Sequence, residues 1–168
     1  MQVIAHDPHV WDAVVRSHGV VPVDLDTLLA SADVISIHCS LTDTTRKMID
    51  ARAIAMMKPS ALLINTARGE VVDEAALVRA LIDGRIAGAG LDVTENDPLP
   101  ADDPLHSAPH TILTGHAAWF STCADSAAEF WRKAMAQVAL ALQGRWPAYA
   151  VNPEVRPTWR ERWGSRPT

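Results

Sequence analysis

The chain has 168 residues, 48% of them hydrophobic, and a formal net charge of −5 at pH 7. This length allows one domain with a core and excludes a second domain of usual size. The acidic balance argues against nucleic-acid partners, and no apolar run approaches the roughly 20 residues that span a bilayer, which argues against membrane partners. Cys39 and Cys123 form no CxxC pair and no signal-peptide pattern follows Met1, so a reducing cytoplasm is predicted.

Short apolar runs separated by helical patterns predict the elements of the fold. In chain order, the predicted strands are residues 3–5, 34–37, 61–64, 87–93 and 111–113. The predicted helices are residues 26–32, a short helix from about residue 50 to Met57, residues 73–82, and the longest, residues 121–143. Buried strands alternating with helices are typical of a parallel α/β sheet.

Two segments fall outside this alternation. Residues 96–109 are rich in proline and predict a loop that leaves the sheet and returns to it. Residues 152–168 predict a tail that is ordered only where it docks. The tryptophans of this tail stand among arginines: Trp159, Trp163, Arg156, Arg160, Arg162 and Arg166. They leave open a small patch that binds nucleic acid or a partner, but a solvated or packed tail is favoured.

Polar residues stand at four predicted strand ends: Asp7, Arg68, Asp92 and His116. The ends of parallel strands share one edge of a sheet, where ligands bind. Taken singly, each residue has an ordinary structural explanation, as a turn residue, a surface ion pair, a capping acid or a packed histidine. Taken together, they offer a cation for a carboxylate, an acid–base group that works near neutral pH, and an acid to hold the imidazole. Hydride transfer on a 2-hydroxy or 2-keto acid needs these groups.

Three ordered motifs carry a family resemblance. They are Asn65-Thr66-Ala67-Arg68-Gly69 with Val72, Asp73, Ala76 and Leu77; Gly88-Ala89-Gly90-Leu91-Asp92-Val93; and His116-Ala117-Ala118-Trp119. Over residues 1 to about 154 the chain resembles the D-isomer-specific 2-hydroxyacid dehydrogenases. The sequence of its His116 motif resembles the branch near the phosphoglycerate dehydrogenases and the C-terminal-binding-protein corepressors. The resemblance implies a Rossmann-like parallel sheet with flanking helices. Residues 1–151 would form a partial NAD-binding domain that includes the long helix, and residues 152–168 a tail.

The resemblance also implies roles for individual residues. Arg68 would hold the substrate carboxylate and carbonyl, His116 would exchange the proton, and Asp97 would be the acidic partner of His116. Asp97 is one methylene shorter than the family's glutamate, and Glu95 is a less favoured alternative. The residues implied to contact the cofactor, NAD, are Asp7, Cys39, Ser40, Thr66, Ala67, Arg68, Asp92 and His116. A small 2-hydroxy or 2-keto acid is the implied substrate, and a homodimer with contacts at residues 96–109 and the long helix is the implied assembly.

The chain also departs from the family pattern. It opens on what resembles the second strand of the dinucleotide fold, without the first strand, the GxGxxG turn and the first helix. Residues 3–5 must then either pair with residues 34–37 or leave two unpaired edges. Two functions stay open, an NAD-dependent dehydrogenase in an incomplete copy and a non-catalytic nucleotide-sensing or dimerisation module. A zinc site from His6, His9, His38 or His116 is disfavoured because metal-ligand spacing is missing, so no metal is predicted.

Overall fold

The computed structural model describes residues 1–118 and 124–163. The chain divides into two compact units, residues 1–118 and residues 119–168. Trp119, Cys123 and the predicted start of the long helix at Ser121 lie outside the described residues. In the described part of the chain, we find no helix both long and apolar enough to cross a membrane. The predicted division into residues 1–151 and 152–168 stays a prediction.

The first unit alternates strands and helices as the apolar pattern predicts. Its elements in chain order are β1 (Ile4–Ala5), α1 (Asp12–Ser17), β2 (Val21–Pro22), α2 (Leu25–Ser31), β3 (Val34–Ile37), α3 (Ala51–Met56), β4 (Leu62–Asn65), α4 (Glu74–Ile82), β5 (Gly88–Leu91) and β6 (Thr111–Leu113). All five predicted strands are present, and the run 87–93 shortens to β5. Helix α1 and strand β2 were not predicted, and for β2 the reason is that two strand residues are too few to show a period.

The strands form two parallel sheets. β1 pairs with β2, and β3, β4, β5 and β6 pair in that order in a four-stranded sheet. β1 and β3 do not pair, so the second of the two alternatives from the sequence holds. β3 is therefore an edge strand, and Val34 at its start is 58% exposed. Such an edge offers unpaired backbone groups to another strand.

The core lies between the four-stranded sheet and helices α2, α3 and α4. Leu29, Ile54, Met57, Leu63 and Leu77 are buried to 2% exposure or less. Burying one such side chain contributes about 1.5–3 kcal/mol, which fixes the helices against the sheet. The Asp73 carboxylate accepts a hydrogen bond from the Ala76 N–H at 3.0 Å and begins α4.

The second unit contains the long helix α5 (Ala124–Leu142) and, after a 3₁₀ turn at Pro153–Val155, helix α6 (Arg156–Trp163). Helix α6 lies within residues 152–168, for which the sequence predicts order only where the segment docks. Trp159 packs edge-on against Trp146 with ring centroids 5.4 Å apart, and the Arg156 guanidinium lies 5.7 Å from the Trp146 ring centre. These contacts favour the packed explanation of the tryptophan–arginine segment.

Candidate active site

Side chains of the predicted site gather at the carboxyl end of the four-stranded sheet, which we call the site edge. Ser40 follows β3, Arg68 follows β4, Asp92 follows β5 directly, and His116 follows β6. All four strands are parallel, so their ends lie at the same edge. Asp7 follows β1 in the separate two-stranded sheet. Asp7 is therefore carried by a different sheet from the other residues, as in the alternative in which residues 3–5 do not pair with residues 34–37.

Asn65 shapes the turn that carries Arg68. Its side chain is 1% exposed; its Oδ1 accepts the Ala67 N–H at 3.0 Å, and its Nδ2 donates to the Arg68 carbonyl at 2.9 Å. The Arg68 guanidinium is exposed and donates from Nη1 to the Ala67 carbonyl at 2.6 Å. Within residues 1–118 and 124–163, no carboxylate forms an ion pair with Arg68. The guanidinium can therefore receive a carboxylate from outside the chain.

Gly69 brings the turn after Arg68 against the loop that follows β5. A Cβ atom built on Gly69 would lie 2.0 Å from the carbonyl carbon of Thr94 and 2.4 Å from the Glu95 nitrogen. Only glycine permits such an approach of two backbones. The loop that holds Arg68 and the loop that leads to Asp97 are consequently in direct contact.

His116 and Asp97 form a hydrogen-bonded pair at the site edge. Nδ1 of His116 lies 2.7 Å from Oδ2 of Asp97, and the two side chains are 44% and 54% exposed. An ionised carboxylate only accepts hydrogen bonds, so Nδ1 carries the proton and Nε2 is left for proton exchange. Glu95, the alternative partner, instead contacts Glu74 and Lys47. The structure thus brings Asp97, and not Glu95, to the histidine.

Asp92 holds the segment around His116. Its buried carboxylate accepts the Thr114 hydroxyl at 2.5 Å and the backbone N–H groups of Ala117 and Ala118 at 2.8 and 2.9 Å. Burial disfavours the charged form, but the hydrogen bonds from Thr114, Ala118 and Ala117 outweigh it and keep the pKa of Asp92 below its ordinary value. The Asp92 carbonyl also accepts the His116 N–H at 2.9 Å. Together these bonds support His116 in a left-handed conformation, with φ at 52°.

The remaining predicted cofactor residues differ in accessibility. Asp7 is exposed, and its Oδ1 accepts the His9 N–H at 2.8 Å, which leaves acceptor capacity on the carboxylate for ribose hydroxyls. Ser40 and Thr66 are exposed, and Ala67 is partly buried. Burial raises the pKa of the Cys39 thiol, so this side chain is neutral near pH 7. These groups fit a dinucleotide lying across strand ends, but the sequence contains no GxGxxG to meet its pyrophosphate.

Several residues that shape the site were missed by the sequence analysis. Asn65 has a readable signal, an amide directly at the end of an apolar strand, which is typical of a side chain that bonds its own turn. Thr114, Lys47 and Glu74 carry no local signal, because their partners are distant in the chain. In the described part of the chain, no group of three or more His, Cys, Asp or Glu side chains could hold a metal ion.

The first unit, residues 1–118, matches a known protein family. The sequence profile of the family described as D-isomer specific 2-hydroxyacid dehydrogenase, NAD binding domain, matches residues 1–118. An (S)-sulfolactate dehydrogenase of Chromohalobacter salexigens is 48% identical over 124 residues, 70% of this chain and 38% of that protein. A glyoxylate reductase of Thermofilum pendens is 41% identical over 145 residues, 86% of this chain and 42% of that protein. The chain therefore spans about two fifths of the length of these relatives.

A solved structure shows the same arrangement of elements. The D-lactate dehydrogenase with NAD⁺ from Lactobacillus jensenii superposes with a TM-score of 0.78 and 33% sequence identity. The match covers 89% of this chain and 48% of that chain. The fold of the matched part agrees with the parallel sheet and helices described above.

We expect Asp92→Asn to weaken the fold most at neutral pH. The folded pKa of Asp92 is lowered, so its stabilisation is complete above the unfolded pKa and is lost as the pH falls through the folded one. An amide also turns an N–H₂ toward one of the three donors, which costs about 1–3 kcal/mol. The free energy of unfolding, measured with urea for wild type and Asp92→Asn between pH 7 and pH 3, should differ at pH 7 and converge in acid. Asp102→Asn, on the exposed loop, is the matched control, and an Asp92→Asn curve parallel to wild type contradicts the assignment.

Proposed function

We propose, since the chain belongs to the D-isomer-specific 2-hydroxyacid dehydrogenase family, that it serves the NAD-dependent oxidation of a D-2-hydroxy acid and the reverse reduction of the 2-keto acid. The main support is the hydrogen-bonded His116–Asp97 pair at the same sheet edge as the exposed Arg68. The relatives of known activity are acid or keto-acid oxidoreductases by name, a sulfolactate dehydrogenase and a glyoxylate reductase. The proposal concerns the whole protein, of which such a site would be one part.

The roles follow from the geometry of the site edge. Arg68 binds the substrate carboxylate through a planar fork of N–H donors and orients the C2 carbonyl toward His116. In the reducing direction, His116 gives the proton on Nε2 to the C2 oxygen, while in the oxidising direction it takes that proton back. Asp97 holds the ring through Nδ1. NAD supplies or accepts the hydride at C2.

Cofactor contacts are proposed at both sheets. Asp7 would bond the adenine-ribose hydroxyls, and an acid there disfavours a 2′-phosphate, so NAD is preferred over NADP. Cys39 and Ser40 would line the adenine and ribose side. Thr66, Ala67, Arg68, Asp92 and His116 would border the nicotinamide.

Arg68→Ala should abolish most carboxylate-dependent turnover. Each charge-assisted hydrogen bond contributes about 1.5–3 kcal/mol, so the loss of a bidentate contact lowers kcat/KM on the order of 10²- to 10⁴-fold. NADH-dependent reduction of small 2-keto acids is the assay, on the protein with whatever residues its reading frame adds at either end. Arg79→Ala, an exposed arginine on α4, should retain activity. Wild-type turnover in Arg68→Ala refutes the anchor, and NADH binding without any turnover favours a non-catalytic nucleotide-sensing module.

Asp97→Asn should reduce kcat about 100-fold, because an amide no longer fixes the Nδ1 proton of His116 and misplaced groups lose roughly that factor. Asp97→Glu, which restores the family's residue, should be at least as active as wild type. Asp102→Asn makes the same chemical change on the same loop and should leave kcat unchanged. Equal kcat in Asp97→Asn and Asp102→Asn, with both proteins folded, argues against the pair.

A homodimer in the cytoplasm is the assembly and location that we propose. Met135, Val138 and Leu142 are between 50% and 71% exposed and recur at the spacing of one face of α5, as in a helix that packs on another helix. Cys39, the described cysteine, is a free thiol, which agrees with a reducing compartment.

Light scattering should give twice the chain mass for the wild type. Replacing Met135 and Val138 by glutamate should halve that mass, because charges would be buried in the interface. Ile82→Glu, at an exposed position of α4, is the control and should leave the mass unchanged. A monomeric wild type, or a dimer that survives the double change, contradicts this interface.

A further inference from the structure

Lys47 has a backbone conformation that normally favours glycine. Its φ is 52°, in the left-handed region. The Lys47 N–H donates to the Glu70 carbonyl at 2.8 Å, and the Ile49 N–H donates to the Val71 carbonyl at 3.1 Å. The backbone of Lys47 is therefore fixed beside the turn that follows Arg68.

The side chain of Lys47 reaches the other loop of the site. Its Nζ lies 3.4 Å from Oε1 of Glu95, which precedes Asp97 by two residues, and 4.0 Å from Oδ2 of Asp73. Lys47 thus bridges the two loops, through its backbone to the Arg68 turn and through its ammonium group to the Asp97 loop.

Glu95 and Glu74 add a reciprocal contact between the Asp97 loop and the start of α4. The Glu74 N–H donates to the Glu95 carboxylate at 3.2 Å, and the Glu95 N–H donates to the Glu74 carboxylate at 2.9 Å. Burial raises the pKa of Glu74, and the charges of Asp103 and Glu95 add to this effect, whereas Lys47 opposes it. The Lys47 charge thus partly offsets the repulsion between two carboxylates that face each other across this contact.

Stability gives no reason for a lysine at this position. The Lys47 side chain is 50% exposed, and exposed ion pairs contribute little to folding. A left-handed non-glycine residue is strained, and such strain persists mostly where function requires it. Glycine at position 47 would relieve the strain and lose only the bridge.

We propose that Lys47 and Glu95 are positioning residues that set the placement of the Asp97–His116 pair relative to Arg68. The proposal rests on the function proposed above, because it assigns the bridge a role in that reaction. Gly69, packed on the Thr94 carbonyl, is the steric part of this junction, and the Lys47–Glu95 pair is the electrostatic part. Lys47 and Glu95 would act through the two loops and not through contact with the substrate.

The kinetic test compares changes at Lys47 with a matched change at Lys58. Lys58 pairs with Asp33 at 2.8 Å, at the opposite end of the sheet. Lys47→Met should lower kcat about 10-fold with KM for NADH unchanged, since a displaced acid–base pair loses rate rather than cofactor binding. Lys47→Arg should restore most of the rate, and Lys58→Met should match wild type. Wild-type kcat in Lys47→Met, or no rescue by Lys47→Arg, overturns the proposal.

Lys47→Gly separates positioning from folding. It should unfold at a urea concentration equal to or above that of wild type, because the strain is gone, and yet lose the same factor in kcat as Lys47→Met. Glu95→Gln keeps an oxygen acceptor for the Glu74 N–H and should also lose rate. If kcat and the urea midpoint of Lys47→Gly fall together, the bridge has only a structural role and the proposal is refuted.

A spectroscopic measurement makes the result independent of turnover. In protein labelled with ¹⁵N-histidine, the Nδ1 resonance of His116 reports its hydrogen bond to Asp97. Lys47→Met should move this resonance, whereas Lys58→Met should leave it at the wild-type position. If wild type shows no turnover, the proposed reaction fails and the resonance alone decides the positioning. An unmoved resonance in Lys47→Met refutes it.

Discussion

The buried carboxylate of Asp92 ties the end of β5 to the segment that follows β6, and the placement of His116 depends on it. Three donors from residues 114–118 converge on this one group. They supply enough hydrogen bonding to keep a buried carboxylate charged, against the cost of desolvation. The same segment holds His116 in a left-handed conformation. The orientation of the His116 ring therefore depends on the charged Asp92 carboxylate and not on the ring's own contacts alone.

The His116–Asp97 pair has a different physical character. Both side chains are about half exposed, so water screens their attraction and the pair contributes little to folding. Its value is geometric, since a carboxylate within hydrogen-bond distance of Nδ1 fixes which nitrogen is free to exchange a proton. The aspartate reaches 2.7 Å even though it is one methylene shorter than the family's glutamate. The contact of Gly69 with Thr94 is one of the contacts that hold the loop after β5 in place.

The sequence predicts the elements that have a period or a motif. Strands 34–37 and 111–113 were bounded as the structure has them, because each is an apolar run with a clear break on both sides. The sheet assignment of Asp7 could not be predicted, since it depends on whether β1 finds β2 or β3 as a partner. Likewise, Lys47 and Glu95 are 48 positions apart in the chain, and no local pattern joins them. Long-range polar contacts are decided by tertiary packing.

The proposed acid–base residues and the proposed ribose-binding residue Asp7 are carried by sheets of different size. Arg68, Asp92 and His116 are carried by four paired strands over a packed core. Asp7 is carried by a two-stranded sheet, whose added support includes the hydrogen bond between His6 Nδ1 and the Val23 carbonyl at 3.2 Å. An isolated strand pair is marginal in water, whereas a larger sheet with a helix layer is independently stable. The acid–base geometry is therefore set without β1, while any contribution of Asp7 to cofactor affinity depends on how firmly β1 is held.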